Sequence, residues 1–175
     1  AEGKQTSDFT KGPAMSEEEC LNALNVGASS VDLNSDILLL GEMGIGNSTI
    51  SAALCLASFG GHSKDWVGAG TGSDLEGIEL KRKVVDLAHS VNAANLGSSF
   101  EILCSLGGRE QAAICGALVA ARKHRIPVLL DGFIACSAVA PLSSHEGIFD
   151  HVLVAHKSAE LGHNLLLKHI DKVPI

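Results

Sequence analysis

The stretch of sequence that decides the fold is Ile37-Leu38-Leu39-Leu40-Gly41-Glu42-Met43-Gly44-Ile45-Gly46-Asn47-Ser48-Thr49. A short apolar run ends in a turn with three glycines, and an alanine-rich helical pattern follows from about Ser48 to Ser58. This order predicts a strand, a tight loop and a helix, with Asn47 or Ser48 at the helix N-cap. The glycines allow the loop backbone to adopt positive φ and to approach a ligand closely.

The same loop is a candidate anion-binding site. Backbone N–H groups at the start of the following helix have no intrahelical partner, so they attract negative charge. Glu42 is the one charged side chain in the loop, at the end of a strand where ligands of open α/β sheets bind. The Gly-x-x-Gly-x-Gly pattern matches neither the dinucleotide fingerprint nor the Walker loop. A βα turn that needs its glycines only for geometry is therefore an equal alternative.

Composition and charge exclude several classes of protein. The 175 residues predict a single domain, and aromatic residues make up 3% with no tyrosine, so small aliphatic side chains form the core. The net charge is −7 and the longest basic run is Lys81-Arg82-Lys83, so we expect no nucleic-acid partner. No apolar run approaches the roughly 20 residues that span a bilayer. Residues 1–12 are polar, so no signal peptide and no membrane partner are expected.

The cysteines and histidines indicate neither disulfides nor a metal centre. The histidines are dispersed without metal-ligand spacing, and we interpret them as surface or capping residues. The cysteines are odd in number and lie mostly in apolar runs, so they predict buried, reduced thiols in a cytoplasmic protein. They are Cys20, Cys55, Cys104, Cys115 and Cys136.

Two capping boxes are predicted in the first half of the chain. Residues 1–15 form an irregular segment, after which Ser16 to Glu19 opens a helix that runs to about Ser29. A second glycine-rich loop covers 66–74, where Ser73 and Glu76 form the other capping box. The helix that follows places four residues on one stripe: Leu80, Val84, Leu87 and Val91.

Lys81 lies outside that stripe, two turns into the helix. A solvated surface lysine is the usual outcome for such a position. The alternative is that its long aliphatic stem folds back, so that the ammonium reaches an anion near the glycine-rich loop.

The second half of the chain alternates helices with continuous apolar strands. This alternation predicts an α/β fold with a mostly parallel sheet and helices on both faces. The strand ends then share one edge, where Gly41–Asn47, Gly68–Asp74, Asp131-Gly132 and Ser158 converge. The predicted elements are helices at Ser99–Ser105, Arg109–Lys123 and Ile134–Ala140, strands at Ile126–Asp131 and His151–Ala155, and a helix capped by Ser158 that ends near His169.

Six motifs in order resemble one known family, the nicotinate-nucleotide–dimethylbenzimidazole phosphoribosyltransferases of cobalamin lower-ligand synthesis. The resemblance covers nearly all 175 residues, which are similar to the middle and later part of a full-length member. The motifs are Asp8-Phe9-Thr10-Lys11-Gly12-Pro13-Ala14-Met15, Gly41-Glu42-Met43-Gly44-Ile45-Gly46-Asn47, Val67-Gly68-Ala69-Gly70-Thr71-Gly72, Gly107-Gly108, Pro127-Val128-Leu129-Leu130-Asp131-Gly132-Phe133 and His156-Lys157-Ser158-Ala159-Glu160-Leu161-Gly162-His163.

The resemblance implies a Rossmann-like homodimer with no metal and no organic cofactor. It implies a pentosyltransferase that moves the phosphoribosyl group of nicotinate mononucleotide onto 5,6-dimethylbenzimidazole, giving α-ribazole 5′-phosphate and nicotinate. Glu42 is the candidate for electrostatic support of the cation-like sugar. The residues implied for phosphate, ribose and the same edge are Gly44, Ile45, Gly46, Asn47, Gly70, Thr71, Gly72, Lys81, Asp131, Gly132, Phe133 and Ser158.

The chain departs from the family pattern at several points. The family's principal general base is a glutamate in a later Arg-Leu-Gly-Glu-Gly-x-Gly motif, which these 175 residues do not contain. The family's N-terminal part, which supplies much of the aromatic-base pocket, is not among them either. Ala69 stands where arginine is common, and Leu161 replaces a usual proline.

Two alternatives accompany this interpretation. The chain could be a non-catalytic nucleotide-binding or assembly module that keeps the phosphate loops. In either case, apolar surface that the rest of a full-length member would cover is expected to be exposed and to favour self-association. A Rossmann-like dehydrogenase domain is disfavoured, because no Gly-x-Gly-x-x-Gly with an acidic residue about 20 positions later opens the first helix.

Overall fold

The computed structural model describes residues 5–70 and 72–175. Within them, eight α-helices and three strands form an α/β fold, and short 3-10 helices lie at Ala93–Asn95 and Ala140–Ser144. In chain order the main elements are α1 (Glu17–Ser29), β1 (Leu38–Leu40), α2 (Asn47–Phe59), α3 (Ser63–Trp66), α4 (Leu75–Val91), α5 (Ser99–Leu106), α6 (Arg109–Lys123), β2 (Val128–Leu130), α7 (Gly132–Ala138), β3 (Val152–Val154) and α8 (Leu161–His169).

The three strands form a parallel sheet in the order β1-β2-β3, which confirms the predicted fold class. Leu38 pairs with Val128, and Val128 pairs with Val152, so all three strands end at the same edge. The face that carries these residues is well packed. On the opposite face Leu39 is 67% exposed and Leu153 is 45% exposed. The two faces of the sheet are therefore buried to different extents.

Helices α1 and α6 pack backbone against backbone because each presents a glycine to the other. A Cβ added to Gly27 would overlap the carbonyl group of Ala113, and one added to Gly116 would overlap that of Leu24. Helix α6 is buried over most of its length, as its nearly uniform apolar pattern predicts.

The segment before α1 has no helix or strand among residues 5–15. Its end is held by two backbone hydrogen bonds to the C-terminus of α5, from Ala14 N–H to the Ser105 carbonyl at 3.0 Å and from Met15 N–H to the Cys104 carbonyl at 2.9 Å. Because α5 otherwise leaves these carbonyls without intrahelical partners, the irregular segment completes the helix end.

Three predicted helix caps are wrong. Gly46, with φ of 89°, is the N-cap of α2, so the positive φ of glycine replaces the side-chain cap predicted at Asn47 or Ser48. Asp74 caps α4 instead of Ser73, because its carboxylate accepts a 2.8 Å hydrogen bond from Gly77 N–H. Glu160, and not Ser158, precedes α8.

The glycine-rich loop at 68–74 does not follow a strand, which corrects the prediction for this segment. Trp66 instead closes the short helix α3. The indole is buried, and its Nε1–H donates a 2.9 Å hydrogen bond to the Gly60 carbonyl. This anchoring of the ring holds the backbone before Gly68 in a helical turn.

The apolar stripe of α4 faces outward. Leu80 is 63% exposed and Leu87 is 51% exposed, whereas Val85 and Ala88 are the buried residues of this helix. We define the outer face of α4 as Leu80, Val84, Leu87 and Val91. Among the described residues it is an apolar helix surface with much of its area open to solvent.

The capping box of α1 is confirmed and gives a stability prediction. Ser16 Oγ accepts a 3.2 Å hydrogen bond from Glu19 N–H, and the Glu19 carboxylate accepts a 3.0 Å bond from Ser16 N–H. Ser16→Ala should lower the free energy of unfolding by about 1 kcal/mol in urea titrations. The control Ser29→Ala, at an exposed position of the same helix, should change it by less than about 0.5 kcal/mol. If both variants changed the free energy of unfolding equally, loss of the cap would not be the cause of the change in Ser16→Ala.

All five cysteines are free and buried, which confirms that part of the prediction. Burial raises the pKa of the Cys115 and Cys136 thiols to about 12, so they are inert thiols. None of the helices within residues 5–70 and 72–175 combines the length and apolar character that crossing a membrane requires.

Candidate functional site

The carboxyl ends of the three strands bring Gly41, Asp131 and His156 together. Gly41 lies against the Asp131 side chain, and Asp131 Oδ1 is 3.2 Å from His156 Nε2. Gly132 has φ of 45°, and a Cβ there would lie 3.1 Å from the His156 ring. The strand tips therefore form one continuous rim, in which a larger residue at 132 would be strained by the positive φ and would crowd the histidine ring.

The loop after β1 is held by an internal hydrogen bond. Asn47 is 4% exposed, and its Nδ2 donates to the Glu42 carboxylate. Gly44 packs so closely on the Asn47 amide that a Cβ there would overlap it. The side chain of Ile45 points into solvent, whereas its backbone belongs to the turn that leads into α2. The bond between Asn47 and Glu42 therefore fixes the direction of the Glu42 carboxylate.

The Lys81 side chain folds back toward the glycine-rich loop, which is the second of the two alternatives considered for it from the sequence. Its ammonium lies 3.3 Å from Ser48 Oγ and 3.2 Å from the Ala69 carbonyl. Gly70, with φ of 62°, lies against both, since a Cβ there would be 2.9 Å from Lys81 Nζ and from Ser48 Oγ. A cation thus stands beside the N-terminus of α2, where the helix dipole also favours negative charge.

The rim continues through the loop after β3. Ser158 N–H donates a 2.9 Å hydrogen bond to Nδ1 of His163 in α8. The rings of His163 and Phe133 have centroids 6.0 Å apart. Glu160 lies against Gly68, close enough that a Cβ at Gly68 would overlap its carboxylate. The loop at 155–160 therefore contacts both Gly68 and the tip of β2.

The predicted site residues fall into two adjoining groups. Gly41 joins them, because it touches Asp131 and directly precedes Glu42. Thr71 lies outside the described residues, and Gly72, with φ of 122°, is exposed. The helix-end group is Glu42, Gly44, Ile45, Gly46, Asn47, Gly70 and Lys81, and the strand-tip group is Asp131, Gly132, Phe133 and Ser158.

Four further residues of the rim are not predicted as site residues from the sequence. The pattern marks Ser48 only as a possible cap, although it follows the glycine loop directly. His156 comes right after the apolar run of β3, and a polar residue at the end of a predicted strand is a usable indication of a site residue. Glu160 and His163 belong to the last of the six family motifs, but the sequence does not place them at the rim, because their positions depend on how α8 packs.

The charge of Glu42 is affected by its surroundings. Burial raises the pKa of Glu42, the hydrogen bond from Asn47 opposes this shift, and the negative charge of Glu110 adds to it. Glu42 therefore holds a proton more readily than a free glutamate. No group of three or more His, Cys, Asp or Glu side chains in the described parts of the chain is arranged to hold a metal.

His163 gives a pH prediction. Burial, reinforced by the positive charges of His156 and Lys157, lowers the pKa of His163 to about 4, against about 6.5 in the unfolded chain. Between these values the unfolded state binds a proton that the folded state does not, so stability falls as the pH is lowered. We expect a loss of roughly 3 kcal/mol between pH 7 and pH 4 in urea unfolding. His163→Asn should flatten this dependence, and an unchanged slope would contradict the assignment.

The parallel sheet with its covering helices, and with glycine turns at its carboxyl edge, defines the class of α/β proteins. The family model DBI_PRT, described as "Phosphoribosyltransferase", matches residues 2–175. The chain belongs to this phosphoribosyltransferase family.

Curated relatives carry a more specific name. The chain is 51% identical over 173 residues to the nicotinate-nucleotide–dimethylbenzimidazole phosphoribosyltransferase of Ruegeria sp. (strain TM1040), covering 98% of this chain and 51% of that protein. It is 52% identical over 170 residues to the protein of the same name from Rhodobacter capsulatus, covering 97% and 50% respectively. The chain thus spans about half the length of the curated relatives it matches.

A solved structure of the same kind shares the fold. The chain superposes on the crystal structure of CobT from Thermus thermophilus with a TM-score of 0.90 and 32% identity. The match covers 97% of this chain and 52% of that one. The parallel sheet and the helices of this chain therefore correspond to about half of the Thermus thermophilus structure.

Proposed function

We propose that this chain is the nucleotide-binding portion of an enzyme that transfers the phosphoribosyl group of nicotinate mononucleotide to 5,6-dimethylbenzimidazole. The observation that carries the proposal is the Lys81 ammonium beside Ser48 and Gly70 at the N-terminus of α2. Free helix N–H groups and a cation at one point suit a phosphate. Membership of the family, and the names of relatives twice as long, support these two substrates.

In this proposal the two groups of the rim have different roles in binding the nucleotide. The helix-end group, together with Thr71 and Gly72, holds the phosphate and ribose, and the strand-tip group lines the same edge. Displacement at the anomeric carbon develops positive charge on the sugar, which a carboxylate stabilises. The raised pKa of Glu42 also suits a group that accepts the proton shed by the benzimidazole.

The test is a direct assay. The protein is incubated with nicotinate mononucleotide and dimethylbenzimidazole, and α-ribazole 5′-phosphate and nicotinate are quantified by chromatography. Product that increases with protein concentration, and that disappears in the Glu42→Gln variant, supports the proposal. No product at high protein concentration removes the proposed activity of this chain.

The second candidate is a non-catalytic module that binds the nucleotide. The observation that favours it is the Lys81 ammonium beside Ser48 at the N-terminus of α2, which suits binding of a phosphate and does not by itself require turnover. Calorimetric binding of nicotinate mononucleotide without turnover supports this candidate. Failure to bind any nucleoside monophosphate contradicts both candidates.

We also propose that the 175 residues act as one domain and self-associate, at the least as a homodimer, through the outer face of α4. Apolar side chains at spacings of four, three and four residues suit pairing of two helices. Light scattering should give more than the monomer mass, and Leu87→Glu should restore the monomer. A monomer at high concentration contradicts the proposal.

The five buried thiols support a reducing, cytoplasmic setting.

A further inference from the structure

His163 is a buried histidine with a defined tautomer. Its side chain has no exposed surface, although it belongs to a residue type that titrates near neutral pH. Nδ1 accepts the hydrogen bond from Ser158 N–H, so in the neutral ring the proton lies on Nε2. Nε2 has no hydrogen-bond partner among the residues that the structure describes.

We propose that His163 is a positioning residue that holds Ser158 and the loop after β3 at the rim of the nucleotide site. This inference rests on the proposed function, since it assigns His163 a role in the same site. Ser158 N–H lies in a loop with no strand or helix of its own. A single buried acceptor therefore fixes the direction of its backbone.

The ring of His163 also contacts the first turn of α7, which follows β2 directly. Its centroid is 6.0 Å from that of Phe133, which directly follows Gly132 at the tip of β2. One side chain therefore links the tips of two neighbouring strands. Displacement of the ring would affect both Ser158 and Phe133, and these are two of the four residues in the strand-tip group.

The packing around α8 keeps the ring in place. Gly162 lies so close to α3 and α7 that a Cβ there would be 2.8 Å from the Trp66 carbonyl oxygen and 3.1 Å from the Phe133 ring. The helix turn that carries His163 is therefore pressed against its neighbours. Leu166 and Leu167, in the next turn, are buried in the same core. The acceptor is thus presented by a rigid helix and not by a flexible loop.

The role can be tested with two amide variants that differ only in where the amide lies. His163→Asn places an amide oxygen near the position of Nδ1, whereas His163→Gln places it near that of Nε2. Calorimetry with nicotinate mononucleotide should give an affinity within about twofold of the wild type for the Asn variant. The Gln variant should lose about tenfold, the scale of one hydrogen bond.

Amide hydrogen exchange supplies a readout that a general loss of stability would not give. In the wild-type protein the Ser158 amide should exchange at least about tenfold more slowly than that of its exposed neighbour Lys157. In the Gln variant this difference should disappear while the amides of α6 stay protected. The wild-type measurement needs neither variant to fold, and an unprotected Ser158 amide overturns the proposal by itself.

The outcomes separate this inference from the proposed function. If the wild type binds no nicotinate mononucleotide, the proposed function is wrong and His163 has no nucleotide site to position. If the wild type binds and the two variants bind equally, whether well or poorly, only the role of His163 is overturned. Preferential loss in the Gln variant, with exposure of the Ser158 amide, supports both.

Discussion

Replacing Gly116 by alanine should lower the free energy of unfolding by roughly 3 kcal/mol or more. A Cβ at this position would overlap the backbone carbonyl of Leu24, so the clash cannot be relieved by turning a side chain. Helices α1 and α6 would have to separate, and separation would open the close contact between their backbones. Urea unfolding followed by circular dichroism measures the change.

The matched control for this substitution is Gly97→Ala. A Cβ at Gly97 would meet only the end of the Glu101 side chain, at 3.3 Å, and that side chain can move away. We expect a change of less than about 0.5 kcal/mol. If both variants unfold alike, the contact between the two helices does not limit stability, and the account of the α1–α6 packing is wrong.

Lys81→Ala should weaken binding of nicotinate mononucleotide by about 10- to 100-fold and leave the affinity for free dimethylbenzimidazole unchanged. A charge-assisted hydrogen bond to an anion contributes about 1.5–3 kcal/mol, which corresponds to this range. The ammonium reaches the N-terminus of α2 only because the stem folds back along α4. Isothermal titration calorimetry with each ligand separates the phosphate contribution from the contribution of the base.

The matched control is Lys83→Ala, which removes the same charge from an exposed position two residues further along α4. Its effect on nucleotide affinity should be less than about twofold, because a solvated charge is screened by salt. Equal weakening of nucleotide and base by Lys81→Ala would show that Lys81 does not meet the phosphate. Equal weakening by both lysine variants would point to net charge alone.

The elements with continuous apolar patterns could be predicted from the sequence. The strands at 128–130 and 152–154 and the helix Arg109–Lys123 lie where their continuous apolar patterns predict them, although Leu153 of β3 is exposed. The region around Trp66 could not be predicted in the same way. An apolar pair before a glycine looks like a strand end, but the buried hydrogen bond of the indole to Gly60 selects a helical turn.

The candidate site is accessible to sequence reasoning only where a residue lies next to a glycine turn or a strand end. Gly44, Asn47 and Asp131 meet that condition. The direction of Lys81 does not follow from its position, because helical spacing places it on a face but does not set the path of four methylenes. The burial of His163 could not be predicted, since it depends on contacts made by α8 with distant segments.

Helix α4 carries two features: the outer face of Leu80, Val84, Leu87 and Val91, and the lysine that reaches the end of α2. In the proposed function, the same helix therefore takes part both in the contact between two protomers and in binding of the ligand. Dimerisation and ligand binding are then thermodynamically linked: if dimerisation changes the ligand affinity by some factor, the ligand changes the dimerisation constant by that same factor.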